Sequence, residues 1–396
     1  MATRAETIVR DAAEPAAARR IARVQPFLAM DVLAAAAAKE RAGGSVVHME
    51  VGQPSAPAPR PVLEAARVAL ADGRIGYTEA LGIAPLRKRI ARHYRDAYGI
   101  AVAPERVVVT TGSSAGFVLA FLAMFDPGDR VAVSAPGYPA YRNILAALDL
   151  DMLAVPLRAV DGWRLTAPGI ADAAGEGPLA GILAMSPANP SGTMIGAEGL
   201  AGLDRLCRER GLWFVSDEIY HGLTYGEPAD TALRHHRDAV VINSFSKYYC
   251  MTGWRIGWIV VPERLVRPVE TLAQNLYISP PYLSQVAALA AFDATGELEA
   301  VKADYARARA VLLDELPGLG ITEIHPADGA FYLYADIARF TNDSIGFCRR
   351  MLDEAGVAAT PGVDFDLAEG SHHLRFSFAG GEDVCREAVR RLKEWL

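Results

Sequence analysis

Three groups of residues in this sequence have types and surroundings suited to chemistry. Lys247 lies in a hydroxyl-rich loop, Ser244–Tyr249, where an amine removed from water could serve as a nucleophile or a base. Asp217 follows an apolar run and could neutralise a buried cation, cap a helix or bind a metal. Gly112-Ser113-Ser114 opens a predicted helix, so its N–H groups and hydroxyls could bind a phosphate. Taken singly, each group also has a structural explanation, such as a surface lysine or a helix cap.

The same glycine turn spells G-x-S-x-G around Ser114, between a predicted strand and a predicted helix. This pattern is typical of the nucleophile turn in α/β-hydrolases. A serine hydrolase would complete its triad with Asp217 or another acid and with a late histidine, His372 or His373. That hypothesis is a remote alternative because it gives no role to three other polar residues, namely Asn189, Lys247 and Arg255.

Two histidine pairs, His235-His236 and His372-His373, raise the question of a metal site. Adjacent side chains point in different directions, and no carboxylate or cysteine spacing completes a ligand set, so we expect no metal. The four cysteines are far apart and form no C-x-x-C motif. We expect them to be reduced thiols, as is usual in the cytoplasm.

The composition and the charge exclude several classes of partner. The 396 residues include 40 basic and 47 acidic side chains, a net charge of −7, which argues against nucleic acid as the main partner. The N-terminus lacks the apolar segment of a signal peptide, and no apolar run is long enough to span a membrane. We therefore predict a cytoplasmic protein that binds neither nucleic acid nor membrane.

The elements that must position these residues are short β-branched runs that alternate with amphipathic helical segments. Such alternation predicts a three-layer α/β domain, in which a mostly parallel seven-stranded sheet is covered by helices on both faces. The last run follows its predecessor without a crossover helix, so we expect it to join antiparallel. The predicted strands are Val107–Thr111, Arg130–Ser134, Met152–Val155, Gly181–Ser186, Leu212–Ser216, Ala239–Asn243 and Ile256–Val261.

The polar residues come directly after these predicted strands. Gly112, Asn189, Asp217 and Lys247 each follow a different strand. In an open α/β sheet, ligands bind at the carboxyl ends of the strands. The sequence therefore predicts that four polar loops meet at one site on this edge of the sheet.

The chain changes in character after Ser284, where a long predicted helix reaches about Glu315. Further strands and a closing helix follow, which predicts a second, smaller α+β domain. We expect residues 51–285 to form the large domain, and residues 1–50 and 286–396 to form the small one. The strands predicted outside the large sheet are Ser45–Val51, Ile321–Ile324, Ala330–Asp336 and Leu374–Ala379.

Several segments together resemble the class I and II aminotransferases, which belong to fold type I of the enzymes that use pyridoxal 5′-phosphate (PLP). Ser244-Phe245-Ser246-Lys247, continued by Thr252-Gly253-Trp254-Arg255-Ile256-Gly257, follows the family's signature around the PLP lysine. Asn189-Pro190-Ser191-Gly192-Thr193 and Ser216-Asp217-Glu218-Ile219-Tyr220 match two more segments in the family's order. The resemblance extends over most of the chain and implies the large PLP-binding domain and the small domain of that fold.

The resemblance implies roles for the residues around the PLP ring. Lys247 would bind PLP as a Schiff base and, once released by substrate, move a proton between the substrate Cα and the cofactor. Asp217 would keep the pyridine nitrogen protonated, so that the ring can accept electrons. Asn189 and Tyr220 would hydrogen-bond the 3′-oxygen, and Tyr138 would stack on the ring.

The resemblance also assigns residues to the phosphate and to the substrate carboxylate. The phosphate ligands would be Gly112, Ser113, Ser114, Ser244 and Arg255. Tyr77 would reach the phosphate in the neighbouring subunit, which implies a homodimer. Arg375 would bind the substrate α-carboxylate together with Asn189, and Gly52 would let the backbone approach it closely.

The activity implied by the resemblance is reversible amino transfer between an L-amino acid and a 2-oxo acid by a ping-pong mechanism. A carbon–sulfur β-lyase of the same fold is an alternative, because the bond that breaks depends on how the substrate lies against the ring. A DNA-binding regulator built on this fold is disfavoured. The roughly 50 residues before the large domain are too few for a winged helix and lack a basic recognition helix.

The identity of the amino donor is less accessible from the sequence. At Ser114, some members with acidic substrates carry a lysine, so its absence weakens the case for aspartate or glutamate. Tyr332 and Tyr277 are candidates for the side-chain pocket, with core or interface packing as the alternative for both.

Overall fold

The apolar runs in the middle of the chain pair into one large sheet, and later strands form two small ones. The structure is a computed structural model that describes residues 17–396. The strands of the large sheet are β2 (Val107–Thr110), β3 (Arg130–Ala135), β4 (Asp151–Pro156), β5 (Gly181–Met185), β6 (Trp213–Asp217), β7 (Val240–Ser244) and β8 (Gly257–Val260). Those of the small sheets are β1 (Val47–His48), β9 (Tyr332–Asp336), β10 (Val357–Ala358), β11 (Thr360–Pro361) and β12 (His373–Ser377).

Helices cover the sheets and connect most of the strands of the large sheet. The first of them, α1, starts just ahead of β1, and the last closes the chain. The helices are α1 (Leu28–Arg41), α2 (Arg60–Asp72), α3 (Ala84–Tyr98), α4 (Gly112–Met124), α5 (Pro139–Ala147), α6 (Ala167–Ala174), α7 (Ala197–Arg210), α8 (Ala232–His235), α9 (Glu263–Leu276), α10 (Tyr282–Ala291), α11 (Thr295–Glu315), α12 (Ser344–Arg350) and α13 (Glu382–Trp395). In residues 17–396, no helix combines the length and the apolarity needed to cross a membrane.

The large sheet confirms the predicted mostly parallel seven-stranded α/β arrangement. Its strand order is β2-β8-β7-β6-β5-β3-β4, and β8 is antiparallel to both of its neighbours, as expected from the missing crossover helix. Successive residues of β7 enter different cores, because Val240 and Ile242 pack on one face and Val241 on the other. Both faces are therefore covered, which explains why these strands read as continuous apolar runs.

The small sheets depart from the predicted strands at two places. β11, β12 and β9 form an antiparallel sheet, and β1 pairs in parallel with β10. The predicted strand Ile321–Ile324 is wrong, since only Ile324 forms an isolated bridge, and Pro326 then has no N–H to continue a ladder. The predicted strand Ser45–Val51 is reduced to two residues.

The single long helix predicted after Ser284 is also wrong, because the chain forms two helices, α10 and α11. The break lets Phe292 and Ala294 both enter the core, where they are 8% and 3% exposed. The domain boundaries expected near residues 51 and 285 stay a prediction. Residues 1–16 of the expected small domain lie outside the described residues.

Candidate active site

A cavity of about 460 Å³ opens at the carboxyl ends of the parallel strands. The fold brings ten of the predicted site residues into its wall: Gly52, Ser113, Ser114, Tyr138, Asn189, Asp217, Tyr220, Lys247, Arg255 and Arg375. A larger cleft of about 1040 Å³ lies at the opposite edge, near the starts of β6 and β7, and contains none of them. The predicted meeting of four polar loops is therefore confirmed by the geometry.

Lys247 follows β7 and extends its amine into the cavity. Its Nζ donates a hydrogen bond of 2.5 Å to the carbonyl of Gly52. Removal from water and, to a smaller extent, repulsion from Arg375 and Arg255 lower the pKa of Lys247 to about 8, against the attraction of Asp217. A fraction of this amine is consequently neutral near neutral pH, as a nucleophile or a proton acceptor must be.

Asp217 ends β6 at the bottom of the cavity and is 2% exposed. Its carboxylate accepts hydrogen bonds from the hydroxyl of Tyr141 and from the N–H of Ile219, the latter at 3.1 Å. Burial raises the pKa of Asp217 to about 6, although both hydrogen bonds and Lys247 lower it. A cation bound beside this carboxylate would favour its charged form.

Tyr141 was not among the residues predicted from the sequence. A signal for it exists, because Tyr141 follows Tyr138 by three residues, and residues three apart share a face of a helix. The two rings meet edge to face with centroids 5.3 Å apart. Once Tyr138 is placed in a site, the same face of α5 therefore points to Tyr141.

Arg375 projects from β12 into the cavity and is only 2% exposed. Its guanidinium donates to Oδ1 of Asn189 and to Oγ1 of Thr360, each at 3.1 Å, and to the carbonyl of Glu50. All three acceptors are neutral, and no salt bridge within residues 17–396 joins Arg375 to a carboxylate. Its Nε is buried without a partner among those residues. A buried cation with unused donors fits an anionic ligand such as a carboxylate.

Ser113 and Arg255 line the cavity, and Gly112, which is not in its wall, packs against Arg255. Gly112 begins α4 at φ +75°, and a Cβ on it would overlap Nη2 of Arg255. The start of α4 and a guanidinium are thus held in close contact, an arrangement that binds phosphate. Ser244 does not line the cavity, because its hydroxyl donates to the carbonyl of Ile256 at 3.0 Å, behind Ser246.

Two tyrosines considered for the side-chain pocket have different positions. Tyr332 lines the cavity, with its phenol oxygen 2.6 Å from that of Tyr220. Tyr277 lies outside the cavity wall and is 37% exposed. Tyr77 is also outside it and is 84% exposed, so within one chain it has no contact with the site.

The structure does not assemble the serine hydrolase triad. Among residues 17–396, no histidine lines the cavity that contains Ser114. Asp217 accepts from Tyr141 and Ile219, and Nδ1 of His373 faces the carbonyl of Glu369 at 2.9 Å. The acid and the late histidine of that hypothesis are therefore both engaged elsewhere.

The histidine pairs differ from one another. His235 and His236 face different aspartates, Asp230 and Asp204. At the other pair the fold supplies a carboxylate that the sequence spacing did not reveal, since donor atoms of Asp336, His372 and His373 lie within 4.8 Å of one another. Asp336 is the register partner of His373 across β9 and β12, a pairing invisible in the sequence.

Comparisons with known proteins agree with this site. The family model "Aminotransferase class I and II" matches residues 45–392. The valine–pyruvate aminotransferase of Mycobacterium tuberculosis is 50% identical over 94% of this chain and 97% of its own. A crystal structure of an aminotransferase from Mycobacterium tuberculosis superposes with a TM-score of 0.94, at 49% identity, over 96% of this chain and 99% of the other. Aspartate aminotransferase from Thermus thermophilus with maleate gives 0.91, at 31% identity, over 96% and 100%.

The cavity fits the PLP that this family uses. Gly112 and Arg255 form a cradle that a Cβ would fill, Asp217 is a buried carboxylate, and Lys247 is an amine with a lowered pKa. When bound, PLP supplies an electron-accepting ring and an aldehyde that reacts with amines. The chain therefore belongs to the class I and II aminotransferases and is a PLP-dependent enzyme that transfers amino groups between amino acids and 2-oxo acids.

Proposed function

We propose that this aminotransferase takes its amino group from an amino acid with an apolar side chain and gives it to a short 2-oxo acid such as pyruvate. The observation that supports this donor is the apolar wall of the cavity. The apolar side chains of this wall, beside the polar residues of the site, are Phe27, Ala29, Met30, Val51, Phe117, Ala140, Ile144, Met185 and Ile219. The relative named valine–pyruvate aminotransferase supports the same pair of substrates.

The charges of the cavity support the same donor class. Within residues 17–396 of one chain, the charged side chains in its wall are Asp217, Lys247, Arg255 and Arg375. Each of these has a role toward the cofactor or the α-carboxylate. A second carboxylate on the substrate would lie against apolar side chains without a cation, which is unfavourable.

Hydrogen bonds hold the N-terminal part of the wall in place. The carboxylate of Asp364 accepts from the N–H groups of Leu28 and Ala29, at 3.3 and 3.2 Å, and so satisfies the start of α1. Just before it, the N–H of Gln25 donates to Oδ1 of Asn143 at 2.8 Å. This wall is therefore a fixed surface over the site.

Each polar residue has a defined task in the proposed mechanism. Arg375 and Asn189 hold the substrate carboxylate, which places the Cα–H bond beside Lys247. With PLP bound, Lys247 would take the Cα proton of the substrate and carry it toward the cofactor. Asp217, held by Tyr141, would stabilise a proton on the ring nitrogen, and Tyr220 and Asn189 would hydrogen-bond the ring oxygen.

We also propose that the enzyme is a homodimer in which Tyr77 reaches the partner's phosphate site. Tyr77 is 84% exposed, and large exposed apolar side chains, which suit an interface, precede it in the sequence. These are Leu63, Val68, Leu70 and Ile75. Four buried free cysteines support a reducing compartment, the cytoplasm.

A panel of amino donors with pyruvate as acceptor tests the donor class. We expect kcat/KM for L-valine to exceed that for L-aspartate by about 100-fold or more, because the aspartate side chain would lose water without gaining a partner. Met30→Arg should narrow this ratio, whereas Ile345→Arg, on α12 away from the cavity, should not. A preference of the unmodified enzyme for aspartate would refute the proposed donor.

An assay without a 2-oxo acid distinguishes amino transfer from β-elimination. With L-cysteine and no 2-oxo acid, a β-lyase breaks the Cβ–S bond and releases sulfide, pyruvate and ammonia continuously. An aminotransferase instead stops after one half-reaction, with the visible absorption of the cofactor bleached. Continuous ammonia release would identify a lyase.

A further inference from the structure

Tyr332 lines the cavity, and the proposed mechanism gives it no task. It starts β9, is 1% exposed, and contacts two residues of the proposed mechanism, Tyr220 and Arg375. Its phenol oxygen is 2.6 Å from that of Tyr220, and its ring lies under the Arg375 guanidinium, 4.4 Å from Cζ to the ring centroid. Its hydroxyl also lies against the backbone of Gly52.

The number of hydroxyl protons determines which of the two tyrosines, Tyr220 or Tyr332, donates the hydrogen bond between them. A phenol has one proton to donate. If Tyr220 donates its proton to the 3′-oxygen of the cofactor, then the bond to Tyr332 requires Tyr332 to be the donor. Burial raises the pKa of Tyr332, so its hydroxyl keeps its proton even though Arg375 lowers that pKa.

We propose that Tyr332 is a positioning residue that donates its hydroxyl proton to Tyr220 and thereby strengthens the hydrogen bond of Tyr220 to the cofactor oxygen. A hydroxyl that accepts a hydrogen bond becomes a better donor, because the two bonds polarise one another. This inference rests on the proposed role of Tyr220. It makes Tyr332 a link between the tyrosine that faces the cofactor and the arginine that binds the substrate carboxylate.

Gly52 has a specific function in this arrangement. A Cβ at position 52 would overlap the phenol oxygen of Tyr332, so only glycine leaves the hydroxyl in place beside Tyr220. The sequence suggested that Gly52 allows the backbone to approach the substrate. The structure assigns its missing side chain to the space of the Tyr332 hydroxyl.

The experiment measures the pH midpoint of the visible absorption band of the PLP-loaded enzyme, without substrate. A donor to the ring oxygen stabilises its negative charge and so favours the unprotonated chromophore. Tyr332→Phe should therefore raise the midpoint by roughly half a unit or more, as expected for loss of one hydrogen bond. It should lower kcat more than it changes KM, because the ring under Arg375 remains.

Two further variants control for structural effects. Tyr334→Phe removes another buried hydroxyl from the same face of β9, one that donates only to the carbonyl of Gly362 at 3.4 Å, and it should leave the midpoint unchanged. Gly52→Ala should raise the midpoint as Tyr332→Phe does, because it displaces the hydroxyl.

Tyr220→Phe distinguishes a failure of the inference about Tyr332 from a failure of the proposed role of Tyr220. If Tyr220→Phe raises the midpoint and Tyr332→Phe does not, the link through Tyr332 is wrong while the role of Tyr220 stands. If Tyr220→Phe has no effect either, both are wrong. Equal shifts in Tyr332→Phe and Tyr334→Phe would likewise overturn the proposal.

Discussion

The surroundings of individual site residues shift their pKa values away from the usual ones. Burial raises the pKa of Asp217 to about 6, and the hydroxyl of Tyr141 is one of the contacts that lower it. The carboxylate must be charged to hold a proton on the ring nitrogen. In the proposed mechanism Tyr141, which does not line the cavity, would thus support the electron-accepting state of the cofactor.

Tyr141→Phe should therefore impair the chemical step. Without the hydroxyl the pKa of Asp217 rises further, so more of the carboxyl is protonated at neutral pH. We expect kcat at pH 7 to fall about ten-fold or more, which is the effect of one hydrogen bond to a charged group. The acidic limb of the kcat profile should move to higher pH, because activity is lost as pH falls through this pKa.

Tyr305→Phe is the matched control for this variant. Tyr305 is as deeply buried as Tyr141, but its hydroxyl has no hydrogen-bond partner among the described residues. Loss of that hydroxyl should leave the pH profile unchanged. An unchanged acidic limb in Tyr141→Phe would show that the bond to Asp217 has no catalytic effect.

The rate of cofactor uptake should depend on the ionisation of the Lys247 amine. The neutral amine attacks the aldehyde, and burial lowers the pKa of Lys247 from 10.5 to about 8. The rate at which the cofactor-free enzyme takes up PLP should thus rise with pH and reach half its maximum near pH 8, measured by stopped-flow absorbance. Arg375→Met should move this midpoint upward, since it removes a repelling cation. A midpoint near 10.5 would contradict the lowered pKa.

The lowered pKa of Lys247 also affects how the stability of the cofactor-free enzyme depends on pH. Between pH about 8 and 10.5 the unfolded chain binds a proton at this lysine that the folded chain does not. The contribution of Lys247 to the free energy of unfolding therefore increases with pH across this window. Below it, the folded state carries the cost of a buried charge.

At the scale of elements, the start of α1 matters because it supplies part of the substrate wall. Asp364→Ala removes the acceptor for two N–H groups of this helix and should loosen Phe27 and Met30. We expect KM for the apolar donor to rise about ten-fold with a smaller change in kcat, since capping bonds contribute about 1 kcal/mol each. Steady-state kinetics with L-valine measures both.

Asp343→Ala provides the control for loss of a cap. Asp343 accepts from the N–H of Gly346 at 2.9 Å and so caps α12, which does not line the cavity. This variant should keep the KM of the unmodified enzyme. A similar rise in KM in both variants would mean that Asp364 acts through general stability alone.

The strands and helices also show which parts of the fold can be predicted from the sequence. β-branched runs and the rule for parallel sheets were sufficient to bring Asn189, Asp217 and Lys247 to one edge, because those features are local. The wall from Phe27 to Met30 could not be predicted, since its contacts join segments more than 100 residues apart. The strand expected at Ile321–Ile324 failed for the same reason, because strand pairing depends on the partner and not on the run itself.

At the scale of the whole molecule, mixed dimers test the proposed exchange of Tyr77. Lys247→Ala and Tyr77→Ala subunits are each expected to be nearly inactive alone. If Tyr77 serves the partner's site, a mixed dimer contains one intact site. Random mixing should then restore about a quarter of the unmodified activity, given the symmetry of a dimer.

The alternative arrangement gives a different result. If Tyr77 served its own subunit, every site in a mixed dimer would lack one residue, and mixing would restore nothing. Mixed dimers can be purified through a different tag on each subunit, and light scattering measures their mass. Their activity then gives the number of intact sites per dimer directly.

The wall at the start of α1 has a consequence for how such enzymes diversify. Phe27, Ala29 and Met30 line the cavity, whereas the proton transfer and carboxylate binding proposed above depend on Lys247, Asp217 and Arg375. A lineage can therefore exchange one amino donor for another by substitutions in a single short stretch while its chemistry is preserved. This separation makes the N-terminal segment the first target for redesigning the donor.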